Sequence, residues 1–284
     1  MRGIWILGIL GIALLWPAVS QAHQLLLVHG GRDALAEALL AACREHRGVT
    51  MLEYPVPPGV RYGAGLLAED VRDAARRFRI PWVVTLGPND GRGLKARATV
   101  LLLRSVLSPS KKVLRLTVPV EASLEAFLAR FPGLRRVGVL LSGPPEAEML
   151  ANLAALGKRL DVSMVWIAVT QAADLGPALQ QRRGQVDALW LLPDPLLDRP
   201  LVMRALVAFS LQYRLPLVAA SPLLPQEGTV LATRVDMAAA CRLLTSRVYG
   251  GIAEEEEIVL PVRLEENSRM EALLGLRSGK QAPR

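Results

Sequence analysis

The sequence predicts an α/β protein made of two doubly wound parallel-sheet lobes, and three observations predict it. Residues 134–195 hold three short apolar runs, 137–141, 164–169 and 188–192, rich in Val, Ile, Leu and Trp. Runs of this length and composition are strands buried on both faces rather than helices. Two segments of helical periodicity, 145–160 and 172–183, separate them. Strand, helix, strand, helix, strand with short links requires right-handed crossovers and parallel pairing. The same rhythm then recurs before and after this stretch. In such sheets ligands bind beyond the carboxyl ends of the strands. Those ends carry Ser142-Gly143 and Pro193-Asp194 here.

In chain order, 25–28 is a buried strand ending at His29-Gly30-Gly31. Asp33 is placed to cap a helix over 34–46, with Leu35, Ala38, Leu39 and Ala42 on one face. A strand over 49–54, a loop over 55–59, a helix over 66–78 and a strand over 81–86 follow. Residues 87–93 are a Gly/Asn/Asp turn region, and 99–103 is a fourth strand. A short strand over 113–118 ends at Pro119, and a helix over 123–131 leads into Pro132-Gly133. The passage between the lobes falls here. After Asp194 come a helix over 199–213, a strand over 216–219 and a proline-rich loop over 221–228. A strand over 229–232, a helix over 237–249 and a final strand over 258–262 complete the pattern. The acidic run 254–257 reads as a solvated loop, and the basic end from Gly275 as a frayed tail.

The chain has 284 residues and a formal net charge of +8, with arginines far outnumbering lysines. Arg72, Arg76, Arg77, Arg182 and Arg183 lie scattered on helix faces and not in one stripe with aromatics, so the sequence argues against a nucleic-acid surface. Residues 1–22 read as a secretory signal: Arg2, an apolar run over 3–15, then Ser20-Gln21-Ala22 at a cleavage site. The apolar run falls short of the roughly 20 residues that span a bilayer. The mature protein is therefore expected in the periplasm. Cys43 and Cys241 both fall on predicted helices in the apolar phase. They are either two buried thiols or a disulfide, which export permits.

Enzyme chemistry finds little support. The three histidines are His23, His29 and His46, and Ser142-Gly143 lacks the glycine of a nucleophile elbow. No G-x-G-x-x-G follows a strand, and no phosphate-binding G-x-x-x-x-G-K-[ST] occurs, so no nucleotide cofactor is expected. No Cys/His cluster or acidic pair has metal-ligand spacing. Asp194, beyond a very apolar strand and flanked by Pro193 and Pro195, either accepts from a ligand or caps the next helix. Trp190 reads as core, and Tyr62 as a loop aromatic able to stack on a ligand.

The second half resembles the ABC-transporter substrate-binding proteins of the tryptophan/tyrosine type. The resemblance rests on Phe131-Pro132-Gly133 leading into Val137-Gly138-Val139-Leu140, on Asp187-Ala188-Leu189-Trp190-Leu191-Leu192-Pro193-Asp194, and on Leu215-Pro216-Leu217-Val218. Gly228-Thr229-Val230-Leu231-Ala232-Thr233-Arg234-Val235-Asp236, Tyr249-Gly250-Gly251 and Leu260-Pro261-Val262 continue it, over roughly residues 122–276. It implies the type I periplasmic binding fold: two hinged lobes with ligand in the cleft. The division it suggests is 23–119 for the first lobe with a return segment 234–264, 120–233 for the second, and 265–284 as a C-terminal tail. It also implies that the helix after Asp236 returns to the first lobe, which puts Cys43 and Cys241 in one lobe and leaves their pairing open.

The resemblance implies that Asp194 faces the cleft with Ser142 and the Ser221 loop beside it; the candidate ligand set adds Arg234, which either binds a ligand carboxylate or fills the cleft, and His29 and Thr85 at strand ends of the first lobe. Arg234 stands where the family has glycine, and Leu116-Thr117-Val118-Pro119 replaces a glycine-rich strand that usually lines the pocket. The expected function is capture of a small polar solute, amino-acid-like or otherwise, for an ABC-type permease, by a monomer without cofactor or catalytic role. The alternative is a ligand-sensing or interaction protein of the same fold, with a degenerate pocket and a membrane sensor as partner.

Overall fold

A computed structural model describes residues 23–29, 34–46, 49–55, 69–86, 97–105, 112–194, 196–197, 199–220 and 228–276. The predicted signal, Ser221 and Tyr62 lie outside the described residues. The strands are β1 (His23–His29), β2 (Val49–Pro55), β3 (Trp82–Leu86), β4 (Thr99–Ser105), β5 (Val113–Thr117) and β6 (Arg136–Leu141). They continue with β7 (Ser163–Ala168), β8 (Ala188–Leu191), β9 (Leu217–Ala219), β10 (Leu231–Val235), β11 (Glu255–Val259) and β12 (Val262–Glu266). Among the described residues the helices are α1 (Ala34–Arg44), α2 (Glu69–Arg77), α3 (Glu121–Arg130) and α4 (Ala147–Leu160). After them come α5 (Leu175–Arg182), α6 (Pro200–Tyr213), α7 (Met237–Gly250) and α8 (Ser268–Leu274).

The strands form two six-stranded sheets, ordered β11-β5-β4-β3-β1-β2 and β12-β10-β9-β8-β6-β7. In the second sheet β6 pairs in parallel with β7 and β8, and β8, β9 and β10 continue in parallel, as the organising stretch predicts. Period-2 alternation sorts its side chains cleanly. Val137, Val139 and Leu141 of β6, with Ala188 and Trp190 of β8, face the side covered by α3, α4 and α8. Leu140, Leu189 and Leu191 face α5 and α6. Trp190 is fully buried and its Nε1–H donates to Ser123 Oγ at 3.3 Å, so the indole is core with its one polar atom satisfied.

The first sheet departs from an all-parallel prediction. Strands β1, β2 and β3 pair in parallel, but β4 runs antiparallel to both β3 and β5. The link 106–112 is too short for a crossover, which needs a dozen residues or more, so β4 and β5 turn back on one another. The predicted alternation missed this because a central buried strand reads the same in either direction.

Two further readings are corrected at the C-terminal end. The acidic run 254–257 is not a loop: residues 255–257 open the edge strand β11, in parallel register with β5. Arg115 pairs with Glu255 at 3.3 Å and Arg247 with Glu256 at 2.9 Å, so the carboxylates of this strand find cations. Charge on an edge strand also discourages pairing with a further chain. The predicted last strand is in fact two, β11 in the first sheet and β12 in the second, with Leu260-Pro261 between. Residues 262–274 are accordingly ordered, with Met270 and Leu274 of α8 buried in the core.

The chain thus crosses between the sheets after β5, after β10 and after β11. The crossings lie side by side. Leu260 N–H donates to Thr117 C=O at 2.7 Å, Asp236 N–H to Pro261 C=O at 3.2 Å, and Val118 N–H to Ala98 C=O at 2.8 Å. Asp236 also caps α7, its side chain accepting from Ala239 N–H at 2.9 Å. Helix α7 packs on α1, and Cys43 and Cys241 form a disulfide with a Cα separation of 5.4 Å.

Candidate functional site

The site is built at the carboxyl edge of the second sheet. Strand β6 ends at Leu141, and Gly143 takes φ +118°, a conformation open to glycine and strained for any L side chain. That turn presents the backbone N–H of the exposed Ser142 to the neighbouring strand end. Strand β8 runs out into Pro193-Asp194, where the carboxylate is nearly sealed, its side chain 1% exposed. Ser142 N–H donates to Asp194 Oδ2 at 2.9 Å, and Leu196 N–H to Oδ1 at 2.9 Å. Asp194 therefore organises its own turn rather than capping α6, whose first flanking residue is Arg199.

A cation from the other lobe completes the arrangement. Arg97 Nη1 donates to Asp194 Oδ2 at 2.7 Å and to Pro193 C=O at 2.8 Å, and the arginine side chain is 8% exposed. A buried charge is tolerated only when paired, and here each supplies the other's partner. Arg97 arrives by way of the antiparallel β4. In the register of β3 and β4, Leu86 faces Leu101, so the start of β4 lies at the carboxyl edge of β3. Residue 97, two positions ahead of β4, is therefore delivered to the edge where ligands of an α/β sheet bind. The pairing of β4 with β5 shifts register between Thr99 and Leu101, a local irregularity next to this residue.

The remaining candidates fall into two groups. His29 and Thr85 lie at the carboxyl ends of β1 and β3, both buried, on the same edge of the first sheet as the approach of Arg97. His29 Nε2 lies 3.9 Å from Glu53 Oε2 on β2. Arg234 stands apart: it is exposed on β10 and forms an ion pair with Glu265 of the adjacent β12. Its guanidinium faces its neighbour strand and does not touch Asp194. Ser221 falls outside the described residues.

Sequence reading missed Arg97 because it took the arginines as solvated helix faces. The available signal was its place three residues before the wholly apolar run 100–103, where an arginine at a strand entry is buried and needs an anionic partner.

Asp187, at the start of β8, sits at the opposite end of the same strand from Asp194. It accepts from the backbone N–H groups of Arg135 and Arg136 at 3.0 and 2.9 Å and from Arg136 Nη2 at 2.6 Å. Burial pushes its pKa up, but these hydrogen bonds outweigh burial and hold it below the ordinary carboxylate value. Its work is to fasten β6 to β8. Among the described residues no group of three or more His, Cys, Asp or Glu side chains could hold a metal ion, and no helix is long and apolar enough to cross a membrane.

No family model matches the sequence, and no curated protein matches it. Solved structures do match the fold. The ABC domain in complex with L-Trp from Streptococcus pneumoniae superposes with a TM-score of 0.59 at 12% identity, covering 89% of this chain and 94% of that one. A ligand-free, open substrate-binding protein with adhesive properties from Clostridium difficile gives 0.58 at 10% identity, with 90% and 95% covered. An ABC transporter solute-binding protein from Agrobacterium vitis with bound D-fucose gives 0.53 at 10% identity, with 87% and 96% covered. Two α/β lobes, three crossings between them and these likenesses over nearly the whole chain lead to one conclusion: the protein has the fold of the type I periplasmic binding proteins, in a far diverged sequence.

Proposed function

We propose that this chain is an extracytoplasmic solute-binding protein of an ABC-type uptake system that holds a small polar ligand between its lobes. The observation that carries the reading is Asp194: a buried carboxylate, fixed by two backbone N–H groups, at the switch-point edge of one sheet and facing the other lobe. Structures of similar fold hold L-Trp and D-fucose, so amino acids and sugars are the first ligands to try. In this reading Asp194 and the Ser142 turn supply the wall from the second lobe, and His29 and Thr85 the wall from the first. Binding and release serve delivery, and no side chain is assigned a catalytic role. The apolar leader over residues 1–22 supports export to the periplasm.

A specific observation favours a second reading. Arg97 already occupies the face of Asp194 that a ligand donor would take. A candidate ligand carboxylate already paired within the chain suits sensing or docking to a membrane partner better than uptake.

Thermal unfolding separates the two. A ligand present at one hundred times its Kd adds about 2.7 kcal/mol, which raises Tm by roughly 5 °C for a chain of this size. The uptake reading expects such a shift from at least one member of a panel of amino acids, sugars, polyols and nucleosides, and its loss in Asp194→Ala. A flat panel, for the native protein and for Arg97→Ala alike, ends the uptake reading.

A further inference from the structure

We infer that the Arg97–Asp194 pair is an internal latch that holds the two lobes closed with no ligand present, so that the closed form is the resting state. This goes beyond the solute-binding reading and stands on the fold alone. Four observations combine. The pair joins different lobes, Arg97 from the link into β4 of the first sheet and Asp194 from the end of β8 in the second. Both side chains are more than nine-tenths buried, at 8% and 1% exposure. Asp194 is held in place by Ser142 N–H and Leu196 N–H, both of its own lobe, so it stays poised whether or not Arg97 is present. Arg97 reaches Asp194 through a single nitrogen, Nη1, which also serves Pro193 C=O, while its buried Nε has no hydrogen-bond partner among the described residues.

A carboxylate kept buried without its cation is strongly unfavourable, whereas one exposed to water is not. Orientations in which the lobes part slightly, leaving Asp194 dry and unpaired, are therefore disfavoured. The lobes are either closed on the pair or open enough to hydrate both charges. A contact through one nitrogen can be released as a unit, unlike a bidentate fork. Arg97 also lies next to the pivot: Ala98 C=O accepts from Val118 N–H in the first crossing. The latch and the hinge thus share one short segment of chain.

The inter-lobe distance tests this. Spin labels at Arg72→Cys on α2 and Gln181→Cys on α5, both exposed and in different lobes, report it while Cys43–Cys241 stays oxidised. The protein is first unfolded and refolded without reductant to strip any co-purified small molecule. The expected result is one narrow, short-distance population for the otherwise native chain, moving to longer distances in Arg97→Gln and in Asp194→Asn. The double variant should move no further than either single one, because both remove the same contact. A broad or long distribution in the otherwise native chain overturns the latch without reference to any variant. So does an unchanged distribution in Arg97→Gln with native circular dichroism. If the neutral variants do not fold, Arg97→Lys, which keeps the charge on a different stem, must still broaden the distribution, and no change there also overturns it. A flat ligand panel would end the uptake reading while leaving these distances untouched, so the two failures are distinguishable.

Discussion

The two sheets are built from similar strands yet reach their ends differently. The second is parallel through five neighbouring strands, and only β12 is reversed, at the edge. The first has its reversed strand, β4, in the middle, between β3 and β5. The difference has a functional meaning. A parallel β4 would begin at the amino edge of the sheet, far from the other lobe. The reversed β4 begins at the carboxyl edge, and its leading residue, Arg97, meets Asp194. A change of strand direction in one lobe thus places a cation opposite the carboxylate of the other. The lobes also differ in how they are closed. Each sheet takes five strands from one run of chain and its sixth, β11 or β12, from the returning C-terminal segment, but only the first has that return fastened by a disulfide, Cys43–Cys241.

The largest expected effect tests that fastening. The disulfide spans a sequence separation of 198 residues, and closing a loop of that length in the unfolded chain stabilises the fold by about 5 kcal/mol. Cys241→Ser should lower the guanidinium midpoint accordingly. Hydrogen exchange should show the loss first in α1 and α7 and later in β6 to β9. Equal loosening of both lobes would break the contrast.

A smaller effect belongs to the second lobe. Asp187→Asn removes the charge that fastens the start of β6 to β8, and for a group this near solvent the loss is about 1 kcal/mol. Its sign with pH follows from the lowered pKa. The contribution is complete above the ordinary value of 3.8 and disappears as pH falls below it through the native value. The gap in stability between the native protein and Asp187→Asn should therefore be widest near neutral pH and close on acidification. A gap independent of pH would remove the charge from the explanation.

The smallest effect is expected from Arg234→Ala. An exposed pair on adjacent strands contributes less than about 1 kcal/mol, so Tm should barely move, and the inter-lobe distance should not move. A large loss of ligand response in this variant would return Arg234 to the site.

The layers of the fold were legible because burial imposes a period. Unbroken apolar runs at 137–141 and 188–192, helical spacing in 145–160 and the break at Pro119 all report local geometry that neighbouring residues must satisfy. Asp194 and Ser142 were legible as strand ends for the same reason, and Trp190 as core. The direction of β4 was not, since a strand buried on both faces carries no mark of which way it runs. Arg97 was hidden with it: its partner is 97 positions away, and only strand direction brings the two together. Arg234 was read as a site candidate because it replaces a glycine of the resembled pattern, while its ion-pair partner, Glu265 on β12, lies in residues read as a tail. The disulfide needed the packing of α7 on α1, which neither helix announces alone.

The triple crossing has a consequence for biogenesis. As the nascent polypeptide emerges, each lobe gathers five strands and waits for its sixth, β11 or β12, and the opening segment waits with an unpaired cysteine as well. Its missing strand, its covering helix and the thiol that Cys43 requires all arrive after Asp236. Oxidation is therefore among the last steps of maturation, and an oxidant acting early would find Cys43 solitary.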